Sequence, residues 1–335
     1  MTTLRADHDE PPSPAGHGAP PPARARVRRP RRTLAQEIRK EPAFRALLLG
    51  LLAARLARPA REACRVDLEC WPGVPYHRHM LWKVALYAGT RLLPYRGEEP
   101  AGGAGRPRLR LLWPEVLAAP EGAPPPPSPP AGWLRGALNG GSREPDKRTV
   151  ERVFGETFGY PLAVDPTAHR GPCVAKSNRG STHDGRVVEC PIPAADPALA
   201  YELLVDNRAG PGADAVVDLR VPVVGGEVPF VYLKYRPLGA RFGNANSAVA
   251  LAEPGDVLLD GELERLGAFC QALGLDLGEL DVLRDRGSGR VYVVDANPTA
   301  WGPPRPLRTG AAVRAVRAYA AALARLAGRT GAALA

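Results

Sequence analysis

The chain has 335 residues, of which 44% are hydrophobic and 24% are charged, and its formal net charge is +10. This composition is typical of globular proteins, and the length allows two domains. The longest apolar run, residues 44–56, is shorter than the roughly 18 residues of a membrane span and contains Arg45 and Arg55. It also lies too far from the N-terminus for a secretory signal, so neither a membrane span nor a secretory signal is expected.

Much of the positive charge lies in the first 40 residues, which hold nine basic and four acidic side chains. This segment is rich in Pro and Ala and has almost no large apolar residues, so we predict that residues 1–33 form a disordered basic tail. A basic arm can contact nucleic acid or anionic lipid. A solvated tail is the simpler interpretation, and nucleic acid is not favoured as a partner.

The cysteines indicate neither a zinc site nor a disulfide framework. They are odd in number and scattered, without a CxxC motif or a Cys/His spacing typical of metal ligands: Cys64, Cys70, Cys173, Cys190 and Cys270. Reduced thiols are typical of the cytoplasm, so we expect a cytoplasmic protein.

The N-terminal part predicts a small α/β lobe over residues 34–132. The pattern favours the following elements: helix over 34–62 with breaks at Pro42 and Pro59, a helix over 75–92 opened by Pro75, and a strand over 108–113. His77 and His79 are expected on the exposed polar face of the second helix. The Pro/Ala/Gly tract over 120–132 is expected to be a linker that ends this lobe.

The second domain is predicted over residues 146–335. Helices are expected over 147–158, 260–273 and 311–327, and single strands over 172–176, 186–192 and 200–206. Two hairpins follow from turn residues, one over 219–235 around Gly225-Gly226 and one joining strands 278–284 and 290–296. Because hairpins dominate this part, we predict an α+β fold with antiparallel sheets.

Lysine is rare in this chain: only five of the 45 basic residues are lysine. Lys176 follows the short apolar run over residues 173–175. It precedes a loop of small polar residues over 177–185 that contains Gly180 and Gly185. A compact ammonium next to such a loop is suited to contact phosphates, which a forked guanidinium does not reproduce.

Acidic and amide side chains stand on the last predicted hairpin. Asp281 lies on its first strand, and Asp295 and Asn297 alternate at the end of its second strand. Hard oxygen donors of this kind suit Mg²⁺, and residues that alternate along a strand share a face. Together with Lys176 they predict a protein that binds ATP and Mg²⁺.

The P-loop motif is absent, because no lysine follows a glycine. The Rossmann motif is absent as well, because no GxGxxG opens a helix. The ordered motifs of residues 146–304 resemble the ATP-grasp superfamily, which includes D-alanine–D-alanine ligase and biotin carboxylase. The resemblance implies that two antiparallel-sheet subdomains sandwich ATP and that a smaller N-terminal α/β lobe precedes them.

The resemblance also implies roles for individual residues. For the nucleotide it implies two lysines, Lys147 and Lys176; a loop over the phosphates, Gly180, Ser181 and Thr182; an adenine hinge, Glu202 to Val205; and a ribose ligand, Asp206. For the reacting phosphoryl group it implies the cations Arg220, Lys234 and Arg236. For the metal it implies Asp281, Asp295 and Asn297. The chain departs from the common pattern at Asp295 and Asp206, where many members have Glu.

The activity implied by the resemblance is ATP-dependent ligation. A small-molecule or peptide carboxylate would become an acyl phosphate, and an amine would then displace phosphate. Two alternatives stay open: a kinase that phosphorylates a small-molecule hydroxyl, and a non-catalytic scaffold that binds ATP.

Overall fold

The structure is a computed structural model that describes residues 32–59, 64–96, 108–114, 129–142, 146–178, 184–210 and 212–333. Residues from Thr33 onward form one compact unit. Most of the predicted basic tail, most of the predicted Pro-rich linker, and Gly180, Ser181 and Thr182 of the predicted phosphate loop lie outside the described residues. Thr33, the last residue of the predicted tail, is the N-cap of the first helix and forms a capping box with Gln36.

The N-terminal lobe consists of helices packed on a parallel sheet. Its elements are α1 (Leu34–Lys40), α2 (Pro42–Leu56), β1 (Asp67–Trp71), α3 (Met80–Ala88), β2 (Arg91–Pro94), β3 (Arg108–Leu112), α4 (Ala131–Arg135) and β4 (Ala137–Leu138). The sheet order is β2-β1-β3-β4, with parallel pairing throughout. A smaller α/β lobe is therefore present, as predicted.

The prediction of one helix over 75–92 was wrong, because α3 spans only Met80–Ala88. His79 is extended and pairs with Trp301 as an isolated β-bridge, so the chain before Met80 cannot be helical. Gly89 ends the helix with a left-handed φ of 80°. His77 and His79 are also not exposed as expected but buried, at 7% and 1%, because aromatic rings enclose them.

The rest of the chain forms two antiparallel sheets with helices. Its elements are α5 (Lys147–Phe158), β5 (Gly171–Ser177), β6 (Arg186–Cys190), β7 (Leu199–Leu203), β8 (Ala215–Val224), β9 (Val231–Pro237), β10 (Ala248–Ala252), α6 (Pro254–Val257), α7 (Asp260–Ala272), β11 (Leu277–Arg284), β12 (Val291–Asn297) and α8 (Thr309–Ala333). The small sheet has the order β6-β5-β7 and the large sheet β10-β9-β8-β11-β12. The predicted α+β architecture with antiparallel sheets is confirmed.

Two large hydrophobic cores hold the described unit together, besides a small cluster of Cys173, Ala175 and Tyr201 on the small sheet. One lies between α5, α7 and an apolar face of the large sheet, and it contains Phe154, Leu266 and Val293. The other joins α2, α3 and the parallel sheet to the C-terminal helix α8, whose Tyr319 is fully buried. Residues 309–333 thus pack against the N-terminal lobe, although the chain reaches them last.

The large sheet has two faces of opposite character. Because side chains alternate along strands, Leu219, Val221 and Leu280 contribute to the apolar core, whereas Arg220 and Asp281 alternate with them and pair in register across β8 and β11. This polar face carries the candidate site. Among the described residues, no helix is both long and apolar enough to span a membrane.

Candidate nucleotide and metal site

A β-bulge in the second hairpin shapes the site. Asp281 pairs with Asp295 and Val282 pairs with Val293, so Val294 has no partner on β11. A bulge of this kind redirects side chains and leaves a carbonyl free of the ladder. Here the carbonyl of Val294 accepts a hydrogen bond from Lys176 Nζ at 2.8 Å. Lys176 belongs to the small sheet, so this bond joins the two sheets.

The two predicted nucleotide lysines both lie between the sheets. Lys176 Nζ is 2.5 Å from Glu202 Oε1, and Lys147 Nζ forms an ion pair with Asp295. Lys147 is the first residue of α5, where the helix dipole disfavours a cation. Burial lowers the pKa of Lys147, but the Asp295 carboxylate outweighs burial, so its pKa is raised.

The predicted cations of the central hairpin meet the first metal acid. Arg220 donates to both oxygens of Asp281, at 3.0 and 2.8 Å, and Lys234 Nζ lies 3.1 Å from Asp281 Oδ1. Burial would raise the pKa of Asp281, but Arg220 and Lys234 hold it well below the ordinary value. Burial lowers the pKa of Lys234 despite this carboxylate.

Arg236, the third predicted cation, is held apart from this group. Its guanidinium pairs with Asp218 and donates to the carbonyls of Arg241 and Gly243 at 3.1 and 2.8 Å. Its hydrogen bonds therefore fix the turn after β9, and none of them reaches Asp281.

The predicted metal ligands occupy one face of the second hairpin. Asp281 and Asp295 are directly opposite each other, and Asn297 follows two residues after Asp295. Asn297 Oδ1 accepts from the backbone and the hydroxyl of Thr299, both at 2.8 Å. Among the described residues no group of three or more His, Cys, Asp or Glu could hold a metal ion. A metal here would therefore rely on two carboxylates, one amide oxygen and oxygens from elsewhere, a donor set that fits Mg²⁺.

The predicted hinge and ribose residues have partners within the chain. Glu202 is buried and turned toward Lys176, and the carbonyl of Val205 accepts from Arg241 at 2.8 Å. Asp206 accepts from Arg208 at 2.8 Å on each oxygen, which holds its pKa below the ordinary value.

Two buried acids at the site were missed from the sequence. Glu279 lies two residues before Asp281, contacts Arg220 at 3.4 Å and accepts from the Trp301 backbone at 3.1 Å. Burial raises the pKa of Glu279 to about 7, against the charge of Arg220. Glu151 follows Lys147 by one helical turn and is 7% exposed. The alternation on β11 and the four-residue spacing on α5 were the signals that could have identified them.

The predicted phosphate loop connects β5 to β6, beside Lys176. At the start of this loop Ser177 donates its backbone N–H to Asp184 Oδ1 at 3.1 Å. At its end Gly185 lies against Phe242: a Cβ at Gly185 would be 2.8 Å from Phe242 Cδ1. The end of the loop therefore contacts the segment that joins β9 to β10.

No family model matches the chain, and no curated protein matches it either. Solved structures similar to it include the ATP-grasp ligase PsnB complexed with minimal precursor, Mg and ADP, at 14% identity and a TM-score of 0.48, over 77% of this chain and 97% of that one. Macrocyclase MdnB from Microcystis aeruginosa MRC is similar at 15% identity and a TM-score of 0.44, over 77% and 99%. D-cycloserine synthetase DcsG is similar at 15% and 0.43, over 78% and 99%.

The assignment of the fold depends on the chain's own topology. A three-stranded and a five-stranded antiparallel sheet meet at Lys176 and Val294, and a parallel α/β lobe precedes them. The predicted α+β architecture, two antiparallel sheets preceded by a smaller α/β lobe, is thus confirmed.

Proposed function

We propose that the protein is an ATP- and Mg²⁺-dependent ligase that joins a carboxylate to an amine. The observation that carries the proposal is the bond from Lys176 of the small sheet to the bulged Val294 carbonyl of the large sheet. It places a cation between the sheets, one residue along β12 from Asp295. A nucleotide held there would contact Lys147 and Lys176 from one side and the acids and cations of the hairpins from the other.

The residues assigned to the phosphoryl group would act through charge. Asp281 orients two cations, the buried Lys234 and the partly buried Arg220. In a water-poor cleft such preorganised cations stabilise the charge of a transferring phosphoryl group more than they would in water. Mg²⁺ held by Asp281, Asp295 and Asn297 would supply further neutralisation of the phosphate oxygens.

The proposed reaction has two steps. A substrate carboxylate oxygen bonds to the γ-phosphorus while the bond from that phosphorus to ADP breaks, which gives an acyl phosphate. An amine nitrogen then bonds to the acyl carbon, phosphate leaves with its bonding electrons, and the nitrogen loses a proton. The chain's part in both steps is positioning and charge neutralisation, so no general base is required of it.

We place the substrate in a cavity of about 270 Å³ beside this site. Its lining includes Phe44, Arg78, Lys83, Trp301 and Arg305. Arg78 is oriented by Glu37, at 2.9 and 2.5 Å, and Arg305 by Glu41 at 2.5 Å. Lys83 donates to the carbonyl of Gly302 at 2.6 Å and so fixes the cavity wall next to Trp301. The lining carries cations and no acid, which favours a substrate that bears a carboxylate.

Trapping with hydroxylamine tests the reaction class. Purified protein is incubated with MgATP and a pool of N-acetylated amino acids, which carry a carboxylate but no free amine. Hydroxylamine converts an acyl phosphate to a hydroxamate, whereas a phosphate ester does not react with it. A ligase gives ADP and hydroxamate in equal amounts when a member of the pool is a substrate.

The alternatives give other results in the same assay. ADP release with a pool of amino alcohols but no hydroxamate with any acid indicates a kinase. Tight MgATP binding without ADP release in any pool, including free amino acids and dipeptides, indicates a scaffold. Either result would contradict the proposed ligase.

A further inference from the structure

Two cysteine side chains of the small sheet lie in contact. Cys173 on β5 is fully buried, Cys190 at the end of β6 is half-buried, and their Sγ atoms are 3.1 Å apart. Cys173 pairs with Val188, two residues before Cys190, so both thiols lie on the same face of the hairpin. The two sulfur atoms would have to approach each other by only about 1 Å to form a disulfide.

This contact lies in the part of the described structure that has the smallest core. The buried core of the small sheet consists of Cys173, Ala175 and Tyr201. In the order β6-β5-β7, β6 is an edge strand, and its Val187 is 45% exposed. An edge strand with so few buried apolar contacts can open locally at a low cost in free energy. A covalent bond to β5 would therefore hold β6 in place.

The other three cysteines are not arranged in this way. Cys64, Cys70 and Cys270 are all at least 97% buried, and burial raises the thiol pKa of the last two to about 12. A thiol reacts as its thiolate and must meet its reagent, so these three are protected in the folded protein. Burial also raises the pKa of Cys173 to about 12. Cys190, the more exposed member of the pair, is therefore the thiol that reacts first.

We propose that Cys173 and Cys190 form a redox-modification site, at which a small-molecule disulfide such as oxidised glutathione introduces an intramolecular disulfide that holds β6 on β5. This inference goes beyond the proposed function and does not depend on it. Because β5 carries Lys176 and the loop between β5 and β6 is the predicted phosphate loop, the bond would fix the hairpin that flanks the candidate site.

The modification takes place in two exchange steps. After losing its proton, Cys190 Sγ bonds to one sulfur of the small disulfide and expels the other half as a thiolate. Cys173 Sγ then bonds to Cys190 Sγ and expels the second half, and the Cys173 proton passes to that leaving thiolate. The two protein thiols lose two electrons in all, and the small disulfide gains them as it becomes two small thiols.

Thiol counting tests the modification. The reduced full-length protein is incubated under native conditions with glutathione disulfide, then denatured in an alkylating reagent and weighed by mass spectrometry. We expect five alkylated thiols before oxidation and three after it, with Cys173 and Cys190 linked in the peptide map. Cys190→Ser should show four thiols both before and after. Cys64→Ala, the control outside the pair, should still lose two.

Hydrogen exchange tests the effect on β6. In a peptide that covers residues 186–190, the amides of the oxidised protein should exchange at least about tenfold more slowly than those of the reduced protein. The oxidant should not change this exchange in Cys190→Ser.

Three results of the thiol count would overturn the inference. They are five thiols that survive the oxidant, a loss of thiols that persists in Cys190→Ser, and glutathione retained on Cys190 in place of the protein disulfide. Equal exchange rates in the oxidised and reduced proteins would overturn the role in holding β6. Neither measurement uses ATP, so a failure here is distinct from a failure of the proposed ligase.

Discussion

At the scale of single residues, the rarity of lysine was informative. Of the five lysines, only Lys40 is exposed; Lys147, Lys176 and Lys234 lie in the candidate site, and Lys83 is buried beside the neighbouring cavity. Each of the three site lysines has a carboxylate partner, so each could be held in place before any phosphate arrives. Compact ammonium groups between facing sheets are consistent with point contacts to phosphates.

The metal ligands can be tested by binding alone. In the variant Asp295→Asn with Asn297→Ala we expect the gain in ATP affinity that Mg²⁺ provides to be lost, because two of the three proposed protein oxygens are weakened or removed. That gain is the difference in affinity between titrations with MgATP and titrations with ATP in the presence of a chelator. Asp256→Asn, at an exposed position, is the control and should keep the full gain. If the double variant also keeps the full gain, the metal binds elsewhere.

At the scale of elements, the phosphate loop and the segment between β9 and β10 are in close contact. Gly185→Ala would bring a methyl group within 2.8 Å of the Phe242 ring. Overpacking of this kind costs about 1–3 kcal/mol, so we expect MgATP affinity to fall roughly tenfold as the loop is displaced. Adding Phe242→Ala should restore most of it, whereas Gly239→Ala, with open space around it, should have no effect. A Gly185→Ala protein with unchanged affinity would show that this contact does not position the loop.

Several elements could be predicted because local signals and packing agree. Clear periodicity and turn residues mark three of them: the helix Lys147–Phe158, the strand that contains Lys176, and the hairpin that carries Asp281 and Asp295. In the structure the bounds of each lie within a few residues of the prediction. The strands β1, β2, β4 and β10 were missed, since short strands that pair with distant segments have little local pattern. The bulge at Val294 was not predicted either, because register is decided by the partner strand.

The partners and the burial of polar residues could not be predicted from local sequence either. Lys147 and Lys176 stood out by type and position, but their pairing with Asp295 and Glu202 depends on how the sheets meet. The buried partners Glu151 and Glu279 resemble ordinary surface glutamates in the sequence. Only tertiary packing made them buried, which is why residue type alone did not identify them.

At the scale of the whole molecule, one asparagine connects the N-terminal lobe to the large sheet. Asn139 is fully buried with a left-handed φ of 58°. Its side chain accepts from the backbones of Asp276 and Leu277, both at 2.8 Å, and donates to the Leu277 carbonyl at 2.8 Å. These bonds fix the start of β11, the strand that carries Glu279 and Asp281.

Asn139→Ala should therefore destabilise the protein strongly. Buried backbone groups would lose their partners, and the alanine would be held at a positive φ, so we expect a loss of roughly 3–5 kcal/mol in the free energy of unfolding. Chemical denaturation measures it, with the exposed Asn244→Ala as the control. A loss below about 1 kcal/mol would mean that this connection is not what holds β11 to the lobe.

The central claim is that Lys176 and the acids of the large sheet form an ATP site, and calorimetry with MgATP tests it most directly. The unmodified protein and Lys40→Ala should bind MgATP with equal affinity. Lys176→Ala should bind at least about tenfold more weakly while it stays folded at the temperature of the titration, since a charge-assisted phosphate contact contributes about 1.5–3 kcal/mol. Equal MgATP affinity in folded Lys176→Ala and Lys40→Ala, or no binding to the unmodified protein, would contradict the account.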